Sequence, residues 1–323
     1  MSVGTDEFTK NMQTDRCYSD LRKEIIKLDI FSALPGAAAQ GIIWGIMAIG
    51  VYLTYRIIDV ADLTVDGTMA TGGATLVVCV TSGMNVWLAM VIAFFAGCIA
   101  GLLTGIFNTK FAIPAILAGI LTQLILYSVN LRIMSEKANV PLSVEKYDII
   151  LSLRDVPHAI IVGLIFTALL IGCFYWFFGT ELGQSLRATG CNANMARANG
   201  INTDSRRIIG LVLSNGIVAL SGALLAQYQG FADVNMGRGA IVIGLAAVII
   251  GQVIFGKIFR NFALRLLATV FGGIIYYSVI TLVLKMGLNA NDLKMFSAIV
   301  VAIFLGIPHW KKLLAQKAAA RRG

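Results

Sequence analysis

Residues 86–107 read VWLAMVIAFFAGCIAGLLTGIF and contain no charged side chain. A helix of this length rises about 33 Å, enough to cross the roughly 30 Å hydrocarbon core of a bilayer. Further apolar blocks lie at 33–58, 67–83, 111–131, 158–178, 207–230, 239–256, 262–284 and 294–310. The sequence therefore predicts an all-α, polytopic protein of the cell membrane with about 8–9 membrane segments.

The composition excludes several other protein classes. Of the 323 residues, 58% are hydrophobic and 13% are charged, and the mean hydropathy is +0.81. These values exclude a disordered chain, a coiled coil and an ordinary soluble enzyme. A transmembrane β-barrel is excluded because the apolar blocks are long and continuous. The net charge of +9 comes from basic residues between the blocks, which is typical of a membrane protein rather than a nucleic-acid-binding protein.

No catalytic residue, metal site or cofactor is predicted. The five cysteines form no CxxC pair, and the chain lacks the HExxH and GxSxG motifs. Residues 251–257, GQVIFGK, match the first seven positions of a phosphate-binding P-loop. The eighth position requires the Ser or Thr that binds magnesium, but it is Ile258. We therefore interpret the match as accidental.

Lysine and arginine residues predict the side of the membrane that each connecting segment occupies. The basic tail 311–323 and the segment 179–206 are predicted to be cytoplasmic, whereas 132–157 has balanced charge and is predicted to lie outside. Residues 1–32 are predicted to form a cytoplasmic amphipathic helix, either at the membrane surface or against a partner. The transmembrane domain is then 33–310.

These assignments leave one block that does not simply cross the membrane. Four blocks separate residue 30 from residue 132, yet a chain that begins inside and reaches the outside crosses an odd number of times. We expect block 67–83, the shortest and rich in Gly and Thr, to be re-entrant or broken. Block 111–131 is the alternative, because Pro114 interrupts its beginning.

A faint internal repeat appears at an offset of 171 residues. Transporters are often built from duplicated halves, and such a repeat favours a crossing at 67–83. Chance matches in a chain rich in Gly and Ala are the alternative explanation. The matching positions are Ala61-Asp62 with Ala232-Asp233, Gly73 with Gly244, and Gly101 with Gly272.

A second spacing pattern concerns helix packing. Gly97, Gly101 and Gly105 repeat every four residues along one helix face. Small residues at this spacing indicate close packing within the bundle, with a homodimer interface as the alternative.

The most polar stretch beside a membrane block is 59–74. It contains Asp59, Asp62 and Asp66, and Gly67 follows the last of them directly. Carboxylates near a bilayer are costly unless they are hydrated, paired or placed at a helix terminus. One interpretation is that Asp66 caps the helix that begins near Gly67. The other is that Asp62, Asp66 and Gly67 form a polar gate along a solute pathway.

Polar residues within the apolar blocks are further candidates for such a pathway. Gln123 and Asn215 are the two we select, and hydrogen bonds that stabilise the bundle are the alternative explanation for each. The remaining polar positions of this kind are Tyr127, Asn130, Gln227 and Gln252.

Residues 181–204 carry successive helix start and stop signals. Gly190 predicts the end of one short helix, and Asn192 predicts the cap of a second. Gly200 predicts the end of that second helix, and Asn202 the cap of the long helix that follows. The predicted surface is small and polar, which suits docking into a groove of another protein, with an ordinary amphipathic loop as the alternative.

Two motifs resemble those of a known transporter family. They are Glu181-Leu-Gly-x-x-Leu-Arg-Ala-Thr-Gly-x-Asn, followed by Met-Ala-Arg-Ala-x-Gly-Ile-Asn, and Asp62-Leu-Thr-Val-Asp-Gly. Both are similar to motifs of the permease subunits of ABC importers for branched-chain amino acids, ribose and related solutes. The chain looks most like a branch linked with aromatic amino-acid uptake.

The resemblance implies a permease for a small, amino-acid-like solute, without enzymatic activity of its own. It implies a second permease protomer, two ATP-binding subunits and an extracytoplasmic solute-binding protein as partners. It also implies that the cytoplasmic segment couples to the ATPase through Glu181, Gly183, Arg187, Ala188, Gly190, Asn192, Ala196, Arg197 and Gly200. The alternative is an ion-gradient-driven secondary transporter, which requires carboxylates deep in the membrane.

Overall fold

The computed structural model describes residues 33–143, 146–285 and scattered positions between 292 and 306. The predicted segments 1–32 and 311–323, and most of block 294–310, lie outside the described residues. The helices are α1 (Ala33–Ile58), α2 (Val65–Thr81), α3 (Val86–Thr109), α4 (Ala115–Ile133), α5 (Val156–Phe177), α6 (Glu181–Cys191), α7 (Ala193–Ala198), α8 (Thr203–Gln229), α9 (Ala240–Phe255) and α10 (Phe262–Lys285). Two short strands, β1 (Asn139–Pro141) and β2 (Phe231–Asp233), pair antiparallel.

Each predicted apolar block through residue 284 coincides with a helix. Within the described residues, six helices are long and apolar enough to cross a membrane, namely α1, α3, α4, α5, α8 and α10. The apolar helices α2 and α9 are shorter, at 17 and 16 residues. In their most apolar windows, α1 is 89% buried and α8 is 72% buried, whereas α5 is only 22% buried. The protein is therefore a polytopic helical bundle around α1 and α8, with α5 at its surface.

The helix starts follow ordinary capping chemistry. The Asn85 side chain accepts a hydrogen bond from the backbone N–H of Trp87 at the start of α3, at 2.9 Å. The Asp155 carboxylate accepts from the N–H of His158 at 3.2 Å, and α5 has a proline in its first turn. Both arrangements satisfy N–H groups that have no partner within the helix.

Helix α1 begins at the end of the bundle that holds β1 and β2, which we call the strand end. The Tyr228 hydroxyl, in the last turn of α8, donates to the Gly36 carbonyl at 3.4 Å. At its other end α1 meets α6, where Ile57 lies against Gly190. The expectation that α1 begins on the same side as residues 181–204 is therefore wrong.

Close glycine contacts explain the direction of α1. A Cβ atom at Gly41 would lie 2.6 Å from Cα of Ile274, and one at Gly45 would lie 3.0 Å from Cα of Val270. Residue numbers rise along α1 as they fall along α10, so the two helices are antiparallel. This packing, rather than the basic residues before position 30, sets the direction of α1.

Block 67–83 is broken rather than re-entrant. Helix α2 begins inside the bundle after the non-helical residues 59–64, and it ends at the strand end, where Tyr147 donates to the Thr81 carbonyl at 3.4 Å. The expected turn back toward the starting side is therefore not seen. Because α1 begins at the strand end, α1 to α4 alternate in direction without a re-entrant block.

The structure supports the internal repeat. Adding 171 to the first residues of α1, α2 and α3 gives 204, 236 and 257, and α8, α9 and α10 begin at 203, 240 and 262. The paired helices have similar lengths, and α1 and α8 run in opposite directions. The two copies are therefore related as inverted repeats, an arrangement common in transporters.

The glycine stripe of α3 packs within the chain. Cβ atoms at Gly97 and Gly101 would collide with the backbone carbonyl oxygens of Asn215 and Leu211 in α8. A Cβ atom at Gly105 would lie 3.1 Å from Cα of Ile208. These contacts support the interpretation as close packing within the bundle.

Candidate functional site

The entry to α2 is a break in regular structure inside the bundle. Helix α1 ends in a π-helical segment, Leu53–Ile58, and Asp59 follows with a left-handed φ of 57°. Asp62 then turns the chain, since its side chain accepts from the backbone N–H of Thr64 at 2.9 Å. Asp62 is only 2% exposed. Non-helical backbone is tolerated here because Asp62 and Thr64 are buried within the protein.

The Asp62 carboxyl group is held by Asn215 of α8. The Asn215 Nδ2 donates to Asp62 at 2.7 Å and to the Leu211 carbonyl at 3.0 Å. The Asn215 Oδ1 accepts from the Thr68 hydroxyl at 2.7 Å. Two predicted pathway residues, 153 positions apart, therefore form one buried unit in which every hydrogen-bonding group of the amide has a role.

A chain of threonine hydroxyls continues from this unit. Thr64 and Thr104 hydroxyls lie 2.7 Å apart, and Thr104 donates to Thr122 at 2.9 Å. These residues belong to the entry of α2, to α3 and to α4. Their role was not predictable from the sequence, because a threonine in an apolar helix usually bonds its own backbone, as Thr122 also does with Ala118.

Asp66 caps a helix, but a different one from the helix predicted. Its two carboxylate oxygens accept from the N–H groups of Gly239 and Ile241, each at 2.9 Å, at the start of α9. Asp66 lies in the first turn of α2, where its side chain faces α9. A Cβ atom at Gly237 would collide with the Asp66 carbonyl oxygen. The amino termini of both short helices therefore meet at one carboxylate, which their positive ends stabilise.

Gly67 lets α4 approach the start of α2. A Cβ atom there would lie 3.2 Å from Cα of Gln123, and the Asn130 side chain donates to the Gly67 carbonyl at 3.4 Å. The structure thus brings together all five predicted gate and pathway positions, Asp62, Asp66, Gly67, Gln123 and Asn215. Gln227 lies elsewhere and accepts from the Ile150 N–H at 3.1 Å.

Residues 181–204 form two short helices, α6 and α7, as predicted. The Asn192 side chain accepts from the N–H groups of Asn194 and Met195 at 3.1 and 3.0 Å. The Asn202 side chain caps α8 through the N–H of Ser205 at 3.1 Å. Gly200 follows α7 with a φ of +79°. Both predicted caps are therefore confirmed, as is the end of the second short helix.

The role predicted for Gly190 is wrong. It lies within α6, which continues to Cys191, and it has no positive φ. A Cβ atom at this position would collide with the Ile57 carbonyl oxygen. Gly190 therefore allows α6 to touch the last turn of α1.

The predicted docking residues divide between the surface and the interior. Glu181 and Arg197 are exposed, and Ala188 is half-buried. Ala196 is only 1% exposed, so it packs inward and is not available to a partner. Arg197 also donates to the Thr203 hydroxyl at 2.9 Å, which fastens α7 to α8.

Two apolar side chains stand out on the same segment. Met195 is 53% exposed and Leu182 is 45% exposed, although neither was predicted as a contact residue.

A cavity of about 420 Å³ adjoins the start of α9. Trp44 packs against Tyr277 with ring centroids 5.6 Å apart, and Tyr276 against Tyr277 at 5.5 Å. The Trp44 indole N–H is buried and has no hydrogen-bond partner among the described residues. The cavity is lined by Trp44, Met236, Arg238, Gly239, Val242, Ile243, Tyr276, Tyr277, Ile280 and Ala298.

Comparison with known proteins identifies the family. Residues 34–308 match the family described as Branched-chain amino acid transport system / permease component. The chain is 39% identical over 274 residues to a tyrosine transport system permease protein of Clostridioides difficile (strain R20291), which covers 85% of this chain and 90% of that protein. It is 35% identical over 271 residues to the uncharacterized protein RP368 of Rickettsia prowazekii (strain Madrid E), with coverage of 83% and 95%.

More distant similarities agree with this result. The autoinducer 2 import system permease protein LsrC of Yersinia pestis (strain Pestoides F) is 28% identical over 236 residues, covering 72% of this chain and 64% of that protein. The solved structure of PsaBC from Streptococcus pneumoniae in complex with Fab matches with a TM-score of 0.50 at 14% identity, over 86% of this chain and 94% of that chain. The latter likeness shows the fold alone.

The family match decides between the two transporter classes considered above, and the ion-gradient-driven alternative is not supported. The protein is a multi-pass cell-membrane transport subunit rather than an enzyme, and ATP hydrolysis lies in partner subunits. The family implies ATP-binding and solute-binding partners. The chain belongs to the branched-chain amino acid transport system permease family of ABC importers.

Proposed function

We propose that this permease imports an aromatic amino acid or an aromatic solute of similar size. The single observation that carries the proposal is the aromatic cavity beside α9. The rings of Trp44, Tyr276 and Tyr277 line this cavity, and so does the side chain of Arg238. The similarity to a tyrosine transport system permease supports the same solute class.

The lining matches both ends of an aromatic amino acid. Aromatic rings favour contact with another ring in offset or edge-to-face geometry. The Arg238 guanidinium provides a charged donor for a carboxylate. The Trp44 indole N–H supplies a further donor that is unused within the described residues. An aliphatic amino acid such as leucine would match Arg238 equally well, but it would leave the rings of the cavity without an aromatic partner.

The buried network at the entry of α2 serves as the gate in this proposal. Asp62, Asn215 and Thr68 hold α2 to α8, and Asp66 holds α2 to α9. These bonds join the two inverted halves near the cavity. A movement of one half relative to the other would therefore open or close a route past α2.

The complete importer in this proposal contains two permease protomers, two ATP-binding subunits and one extracytoplasmic solute-binding protein. Each protomer has 8–9 membrane segments, with α6 and α7 on the cytoplasmic side. The exposed face of α6 and α7 docks onto the ATPase, and Gly190 passes the motion to α1. Alternating access follows when the ATPase subunits close.

Uptake of radiolabelled tyrosine, phenylalanine and leucine by the assembled importer tests the solute class. We expect tyrosine and phenylalanine to be preferred to leucine, and Trp44→Leu to reduce that preference by about twofold to tenfold, since an aromatic contact contributes about 0.5–1.5 kcal/mol beyond its buried area. Ile280→Leu is the matched control, because it changes the shape of a side chain in the same cavity without changing the number or kind of its atoms. Equal uptake of leucine and tyrosine by the wild-type protein would contradict the proposal.

A further inference from the structure

A second cavity, of about 340 Å³, lies at the α6–α7 end of the bundle and is strongly basic. Four of its lining residues are arginines, and they come from three separate parts of the chain. Among the described residues, no Asp or Glu lines it. The lining residues are Tyr52, Arg56, Ile57, Arg187, Cys191, Arg260, Phe262 and Arg265.

The arginines lie around one tyrosine. Arg56, Arg187 and Arg265 line the same cavity as Tyr52, and their positive charges all act on its hydroxyl. Tyr52 itself is only 3% exposed. Guanidinium groups remain charged at any physiological pH, so their mutual repulsion in this cavity is not relieved by loss of a proton. An anion placed among them removes that repulsion.

Arg187 is held in position before any ligand binds. Its guanidinium carbon lies 4.2 Å from the ring centroid of Phe262 and 5.0 Å from that of Phe178. The two rings themselves pack at 4.9 Å. Burial lowers the pKa of Arg187, and the charge of Arg265 acts in the same direction. A guanidinium fixed between two rings loses little conformational freedom when it binds an anion.

The position of the cavity favours a phosphate group. Several guanidinium forks around one space match the three or more oxygens of a phosphate better than the two oxygens of a carboxylate. Basic pockets between membrane helices on the cytoplasmic side are typical of sites for anionic lipid headgroups.

We propose that this cavity binds a phosphate group, either in the headgroup of an anionic lipid or in a soluble phosphate compound. Because Arg187 belongs to α6, Arg56 to α1 and Arg265 to α10, the ligand bridges α6 to the membrane helices α1 and α10. Its binding therefore stabilises the position of α6 relative to α1. This inference does not depend on the transported solute.

Thermal unfolding of the full-length permease in lipid nanodiscs tests the proposal. One arm compares phosphatidylcholine nanodiscs with and without cardiolipin, and the other adds inorganic phosphate to phosphatidylcholine nanodiscs at constant ionic strength. We expect at least one probe to raise the Tm of the wild-type protein by about 3 °C or more. A shift with cardiolipin alone assigns a lipid headgroup, and a shift with inorganic phosphate assigns a soluble ligand.

The variants establish where the ligand binds. Arg56→Gln/Arg260→Gln should reduce the shift to less than half and weaken binding roughly tenfold or more. Lys257→Gln removes one charge from the same linker but does not line the cavity, so it should keep the full shift. Each shift is measured within one variant, which separates ligand binding from a change in basal stability. Arg260→Gln alone serves if the double variant fails to insert.

Two results would overturn the proposal. One is that neither probe shifts the wild-type Tm, or that the double variant shifts as much as Lys257→Gln. The other is that Arg260→Gln leaves the shifts unchanged but abolishes co-purification of the ATPase, since the cavity would then bind an acidic side chain of that subunit.

Discussion

The carboxylate of Asp66 in α2 accepts a hydrogen bond from the backbone N–H of Gly239, 173 residues later, at 2.9 Å. With its second bond to the N–H of Ile241, Asp66 does for α9 what a local cap residue does for other helices. Helices α2 and α9 therefore both begin at the Asp66 carboxylate. Any change at Asp66 acts on both halves of the inverted repeat at once.

Replacing Asp66 by Ala should lower the Tm of the detergent-solubilised protein. The start of α9 loses two charge-assisted hydrogen bonds, for which we expect a cost of about 1–3 kcal/mol. Asp66→Asn keeps one acceptor and should show a smaller loss. Asp59→Asn is the control, because Asp59 is exposed and asparagine tolerates its left-handed backbone. Equal Tm values for Asp66→Ala and Asp59→Asn would show that the cap does not stabilise the fold.

Replacing Asn215 alone by Leu should destabilise the protein more than replacing Asn215 and Asp62 together. The substitution leaves the buried Asp62 carboxyl group without its 2.7 Å donor, at a cost of about 1–3 kcal/mol or more. Adding Asp62→Asn should recover part of the lost Tm, because a neutral amide is cheaper to bury. Independent, additive effects of the two substitutions would contradict the coupling of these residues.

Replacing Gly190 by Ala should uncouple α6 from α1. The new methyl group collides with the Ile57 carbonyl oxygen, so α6 must move away. We expect normal membrane abundance with at least a severalfold loss of uptake per ATP hydrolysed, measured in proteoliposomes with the ATPase. Gly172→Ala in α5 is the matched control, since a Cβ atom there meets nothing within 4 Å. If both variants transport equally, the contact plays no part in coupling.

Replacing the exposed Met195 by Glu should weaken association with the ATPase. Placing a charge in a docked apolar contact costs about 1–3 kcal/mol, which corresponds to a severalfold to hundredfold weaker complex. Co-purification of the two subunits measures this. Asn199→Asp adds the same charge at an exposed position of the α7 cap and should have the smaller effect. Ala196→Glu tests folding instead, because Ala196 is buried.

The orientation of the bundle is testable with an impermeant thiol reagent. Glu136 is exposed at the strand end and Cys191 is exposed at the end of α6. In variants that each retain one cysteine, Glu136→Cys should be labelled in intact cells, and Cys191 should be labelled only after the membrane is opened. The reverse pattern would invert the proposed topology.

Local signals in the sequence were reliable guides to local structure. Asn192 and Asn202 cap the helices that their positions predicted, because a cap bonds N–H groups only two or three residues away. Asp59 and Asp62 before α2, and Asp66 in its first turn, also marked the polar entry, since carboxylates are rare beside apolar helices.

Information that depends on distant contacts was not available from the sequence. Asp66 in the first turn of α2 has the same sequence context whether it caps α2 or α9. Gly190 near the end of a helix fits both a helix stop and a close contact, and only the position of Ile57 decides. The direction of α1 likewise depends on its packing against α10, which a count of basic residues does not contain.

The contact between Asp66 and Gly237 has a consequence for the symmetry of the duplicated halves. These two positions are equivalent at the offset of 171, and they touch each other. The pseudo-twofold axis therefore passes between them, so a residue at this position meets its own counterpart. Aspartate in both copies would place two carboxylates face to face, and its Cβ atom would also collide with the opposing backbone. Only one half can carry the acid, so the two halves could be identical at this position only as glycine, without the carboxylate that caps α9.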